Sequence, residues 1–93
     1  MIIACDLDGT LCESMDDWRD YYKAPPIQEN IEKLRKLKTE GNWIIIYTGR
    51  PWHDEIITEK WLYEHNVPYD SLIMGKLRAD LYIDNDSKRM EEI

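Results

Sequence analysis

Apolar residues in this chain alternate between short dense runs and longer stretches where they recur every three or four positions, and those two patterns predict its elements. Residues 1 to 5 are a dense run and predict a buried strand. Residues 13 to 26 are polar and aromatic-rich and end on Pro25 and Pro26, which predicts a short flap with a helical turn around residues 15 to 22. From Pro26 a helical stripe of Ile27, Ile31, Leu34 and Leu37 runs to a stop at Gly41. Trp43 to Tyr47 is a continuous apolar run with β-branched residues at its centre, the composition of a strand buried on both faces. A second helix is expected from about Asp54 to His65, with Ile57, Trp61 and Leu62 inward and Asn66 and Pro68 closing it. Short strands are expected at Ser71 to Met74 and Leu81 to Ile83, then a last short helix at Ser87 to Ile93 with Met90 and Ile93 inward.

That order predicts an α/β fold, a small Rossmann-like three-layer sandwich with a mostly parallel sheet, in a single domain spanning residues 1–93. Each strand empties into a polar, flexible exit. With the first strand central, the exits carrying Thr48 and Asp84 would flank the one carrying Asp6 and Asp8, and Lys76 would approach from the loop after the third strand. Four polar exits would then aim at one crevice.

An Asp-x-Asp-Gly stretch on its own is equally a polar turn, and a calcium loop is disfavoured because Trp18, Arg19 and Asp20 do not continue the required oxygen pattern. The convergence of exits argues for more. Asp6, Asp8, Asp84 and Asp86 gathered together would repel, so they call for a cation or shared protons, and an all-oxygen set without His or Cys points to Mg²⁺. Lys76, Thr48 and the turn amides favour an anion beside it. A hard cation beside a hard anion suits phosphate. Asp6, fixed at a strand end, is the expected nucleophile for phosphorus, and Asp8, two residues into the turn, the expected general acid and base.

Composition narrows the partners. The 93 residues carry a formal charge of -7, which gives no general attraction to duplex nucleic acid or an anionic membrane. No secretory leader and no membrane-length apolar run is visible, so a cytoplasmic location is the expectation. Cys5 and Cys12 are expected to be structural and unpaired. So small a core is compatible with a homo-oligomer.

These residues resemble the haloacid dehalogenase-like phosphatases. Asp6-Leu7-Asp8-Gly9-Thr10-Leu11 is similar to that family's first motif, Thr48-Gly49-Arg50 to its second, Lys76 to its third, and Ile83-Asp84-Asn85-Asp86 to its fourth. The resemblance implies a magnesium-dependent phosphomonoesterase working through an aspartyl-phosphate. In it Asp6 accepts the phosphoryl group and binds the metal. Asp8 is the acid and base and lends its carbonyl to the metal. Thr48 and Lys76 hold the phosphoryl group, and Asp84 completes the metal site with Asp86 or a water held by Asn85. Asn85 departs from the acid pair common in the family. Gly9, Thr10, Gly49 and Arg50 are the implied substrate-binding positions. Neither usual insertion point has room for a cap, so the chain resembles a minimal, capless member with a flap at 13–26. Weaker resemblances are to small phosphatases linked to capsular polysaccharide synthesis and to the phosphatase half of phage-type polynucleotide kinases. The implied substrate is a nucleotide, a sugar phosphate or a polynucleotide end.

Several side chains keep two readings. Arg50 either meets substrate phosphate or makes an ion pair within the protein. Trp52 and His53 either meet a leaving group or cover a helix start. Trp18, Tyr21 and Tyr22 either stack on a base or sugar or pack on protein. The rival to an enzyme is a catalytically weak phosphate-binding or regulatory module of the same fold.

Overall fold

The computed structural model describes residues 1–93. Three strands, β1 (Ile2–Cys5), β2 (Trp43–Tyr47) and β3 (Ser71–Ile73), form a parallel sheet in the order β1-β2-β3. Helices α1 (Gln28–Thr39) and α2 (Glu55–Glu64) make the two crossovers. The α/β class, the parallel sheet and the helix positions follow the apolar patterns of the sequence.

Register explains the core. Ile3 pairs with Ile44, Cys5 with Ile46, and Ile46 with Leu72, so these side chains share one face. On it sit Ile31 and Leu34 of α1 and Trp61 and Leu62 of α2, all buried. Consecutive right-handed crossovers in a 1-2-3 strand order bring both helices to the same side. The opposite face is sparsely covered: Ile2 is 74% exposed and Trp43 52%. β2 is therefore covered fully on one face only, where a strand buried on both had been expected, and the helical layer is one-sided.

Three boundaries have clear local causes. α1 ends where Gly41 takes φ 97°, and α2 ends at Asn66 with φ 53°, both in the left-handed region that closes helices. At the start of β2 the Ile44 N–H donates to Asp70 Oδ2 (2.8 Å), whose carboxylate also accepts from Lys38 Nζ at 2.7 Å. Asp70, immediately before β3, thus ties the end of α1 to the start of β2.

The flap is pinned at its two ends, with Glu13 N–H donating to Pro25 O (2.9 Å) and Ile27 N–H to Leu11 O (2.8 Å). Its middle is a 3₁₀ turn at Trp18–Lys23, opened by Asp17, whose side chain accepts from Arg19 N–H. Trp61 Nε1 donates to Ala24 O (2.9 Å) and fastens the flap to α2.

The sheet lacks the strand expected at residues 81 to 83. Leu81 and Ile83 are exposed, and β1 stands at an edge instead of the centre. The reason is local: the Tyr82 hydroxyl donates to Leu77 O and accepts from Ala79 N–H, so the segment folds back on itself. Beyond it, a 3₁₀ turn at Met90–Glu92 replaces the expected helix; Met90 packs on the core as expected, but Ile93, also expected inward, is exposed.

Candidate functional site

The chain leaves β1 through a turn in which Leu7 O accepts from Thr10 N–H (3.0 Å) and Leu11 N–H (2.8 Å). Leu7 and Leu11 are fully buried and hold the turn down, and Gly9 permits it with φ 81°. Asn30 Nδ2 donates to Thr10 O (2.7 Å), tying the turn to α1. Asp6 and Asp8 both face a cavity of about 360 Å³ that Gly49, Arg50, Lys76, Arg78 and Tyr82 help to line.

The two aspartates have different surroundings. Asp6 Oδ1 accepts only from the neighbouring Leu7 N–H (2.8 Å). Asp8 is gripped by Arg50, with Nε 2.9 Å from Oδ2 and Nη2 2.7 Å from Oδ1. Arg50 is 1% exposed. Its remaining nitrogen donates to Thr58 Oγ1 (3.0 Å) on α2, and the Tyr21 ring of the flap lies 3.9 Å from its guanidinium carbon. Of the two readings of Arg50, the ion pair within the protein is the one that its contacts describe. Tyr21 likewise packs on protein, and burial raises its phenol above the ordinary value.

The exits of β2 and β3 are joined by backbone bonds. Lys76 N–H donates to Thr48 O (2.9 Å) and Gly75 N–H to Arg50 O (2.8 Å). Thr48 is fully buried, its Oγ1 accepting from Arg50 N–H (3.2 Å). Lys76 reaches the cavity with its ammonium 5.4 Å from the Tyr47 ring and 4.7 Å from that of Tyr82. Trp52 lies over Gly75, where a Cβ would come within 3.3 Å of Nε1, so the indole covers the turn that delivers Lys76.

Asp84 and Asp86 stand apart. Both are exposed, and Asp84 Oδ1 accepts only from Asp86 N–H (3.2 Å). No three His, Cys, Asp or Glu side chains are arranged to hold a metal ion. The four-carboxylate gathering expected of Asp6, Asp8, Asp84 and Asp86 is not formed, because the 81–83 run that would carry the last two to β1 is held in its own loop by Tyr82. The thiols of Cys5 and Cys12 are free and buried, each pushed up to about 12, first by burial and then by Asp6 and Asp8 respectively, which suits their structural reading.

Residues that sequence reasoning passed over are Arg78 and Tyr82 at the cavity and Thr58 behind Arg50. A second cation two positions after Lys76 in the same loop was the available sign of Arg78.

A family model described as haloacid dehalogenase-like hydrolase matches residues 3–69. A crystal structure of a protein from Vibrio cholerae superposes with a TM-score of 0.82 at 31% identity, covering 98% of this chain and 85% of that one. A chain of the Pnkp1/Rnl/Hen1 complex superposes with a TM-score of 0.71 at 27% identity, covering 85% of this chain and 30% of its own length. A chain of the Pnkp1/Rnl/Hen1 RNA repair complex does so with 0.70 at 25%, covering 96% and 27%. This chain thus spans less than a third of those two. No curated protein sequence matches it significantly. No helix is long and apolar enough to cross a membrane.

Proposed function

The chain belongs to the haloacid dehalogenase-like hydrolases, and on that footing we propose that it is a magnesium-dependent phosphomonoesterase acting through an aspartyl-phosphate on Asp6. The observation that carries the reading is the cavity at the strand exits, where Asp6, which no cation engages, and Lys76 face the same space beside an Asp8 fixed by Arg50. An Asp6 oxygen attacks phosphorus as the bond to the leaving oxygen breaks, and Asp8 delivers a proton to that oxygen. Asp8 then takes a proton from water, which attacks the aspartyl-phosphate, releasing inorganic phosphate and restoring the Asp6 carboxylate. Both Asp8 oxygens face Arg50, so proton transfer requires one of those contacts to open while Thr58 and Tyr21 keep the guanidinium in place. Lys76 offsets charge on the phosphoryl oxygens. Gly9, Thr10 and Gly49 shape the phosphate end, and Arg50 serves it by orienting Asp8.

Magnesium suits the oxygen donors here and would neutralise phosphoryl and carboxylate charge. The proposed donors are the Asp6 carboxylate and the Asp8 carbonyl, joined by Asp84 and Asp86. Those side chains do not form a shell in this arrangement, so no step is assigned to the metal. The separation of Asp84 and Asp86 from Asp6 favours the rival reading, a weak phosphate-binding or regulatory module. The likeness to a chain of an RNA repair complex supports a nucleotide or polynucleotide end as substrate over a sugar phosphate. Hydrolysis of an aryl phosphate with added Mg²⁺ decides between enzyme and module: turnover that Asp6→Asn abolishes supports the enzyme, and no turnover in either protein defeats it.

A further inference from the structure

The cavity mouth holds more positive charge than one phosphoryl group requires. Of its three cations, Arg50 is engaged with Asp8, and Lys76 is assigned above to the phosphoryl group. Arg78 remains. It has no carboxylate within ion-pair distance and no side-chain hydrogen bond, although the chain carries a net charge of -7 and offers 19 acidic residues.

Arg78 is nevertheless held in position. Its Cγ and Nε lie 3.5 Å from where a Cβ at Gly49 would be, so the side chain rests against the exit of β2. Tyr82 closes the loop around it, donating to Leu77 O and accepting from Ala79 N–H, the residues on either side of Arg78. The same ring faces the Lys76 ammonium at 4.7 Å. One tyrosine therefore sets both free cations of the mouth. Their chemistry differs: an ammonium is a compact point charge, whereas a guanidinium matches two oxygens of one phosphate in a fixed plane.

We propose that Arg78 binds a second phosphate of the substrate, beside the phosphomonoester at Asp6 and Lys76, so that the preferred substrate is the phosphorylated end of a nucleotide chain. This rests on the phosphatase reading above. A phosphodiester next to the terminal phosphate supplies the second group, and an isolated monophosphate does not.

The test compares wild type, Arg78→Gln and Arg78→Lys by kcat/KM, with Mg²⁺ present, on a dinucleotide bearing a terminal phosphate, a hexose bisphosphate and an aryl phosphate. Wild type should prefer the dinucleotide, and Arg78→Gln should reduce its preference over the aryl phosphate by about tenfold to a hundredfold, the range for a hydrogen bond between charged groups. Arg78→Lys should lose less, since it keeps the charge without the fork. A preference unchanged by Arg78→Gln overturns the proposal, as does equal preference for the hexose bisphosphate. If wild type hydrolyses none of the three, the phosphatase reading falls separately and binding decides. Calorimetry should then show adenosine 3′,5′-bisphosphate binding more tightly than adenosine 3′-monophosphate in wild type and losing that advantage in Arg78→Gln; equal affinities in wild type overturn the second-phosphate site.

Discussion

Asp6 and Asp8 are two residues apart and answer to different parts of the protein. Asp6 makes one bond, to its neighbour's amide, which an asparagine oxygen can also accept. Asp6→Asn should therefore remove activity by roughly 10⁴-fold or more while leaving the thermal midpoint unchanged. Asp8→Asn leaves the buried Arg50 guanidinium without its anion and should cost about 3 kcal/mol of stability as well as activity. Arg50→Gln should be similarly destabilising. The double variant should lose less than the sum, because each single change strands the other partner. Denaturant unfolding measures all four proteins, and an Asp8→Asn variant as stable as wild type would remove the proposed grip. Asp6, Asp8, Gly49, Arg50 and Lys76, which line the cavity, were legible at this scale because Asp-x-Asp-Gly, Thr-Gly-Arg and Lys76 each follow a dense apolar run. The partners of Arg50 were not, since Thr58 and Tyr21 come from a helix and a flap whose approach no local pattern encodes. Arg78 escaped notice because a charged loop residue looks the same in sequence whether it meets solvent or a substrate.

Among the elements, the strands and helices with long or regular apolar patterns formed where the periodicity placed them. The 81–83 run did not, and its shortness explains why. Three residues offer few ladder bonds, and the tyrosine among them has closer partners at Leu77 and Ala79. The outer edge of β1 is consequently unpaired. A cation shared by Asp6 and Asp84 requires the exit of 81–83 to approach that edge. Mg²⁺ together with inorganic phosphate is therefore expected to slow amide hydrogen exchange at residues 81 to 83 and along β1. Identical exchange with and without the two ions would show that the closing segment contributes nothing to the metal site. This readout is independent of turnover, so it bears on Asp84 and Asp86 whether or not the right substrate has been found.

For the whole molecule, Asp70 couples protonation to stability, because it joins the end of α1 to the start of β2 immediately before β3. The Ile44 N–H and then the Lys38 ammonium hold its carboxyl below the ordinary value of 3.8. A lowered value stabilises the fold above 3.8, and that contribution is lost as the pH falls through the folded value. Asp70→Asn should therefore melt below wild type at pH 7, and the two curves should converge in acid; a gap that persists unchanged would exclude the linkage. The overall fold could be read from sequence because its two crossover helices have clear stripes. The one-sided cover could not, because a dense apolar run such as Ile44-Ile45-Ile46 looks the same whether one or both of its faces are roofed. That open face has a calorimetric consequence. Heat capacity of unfolding follows the apolar area newly wetted, about 1.1–1.4 kcal/mol/K for a chain of this length, and a sheet already wet on one side should fall below that range. The stability curve is then broad and shallow, so the protein should change little in stability between cold and physiological temperature.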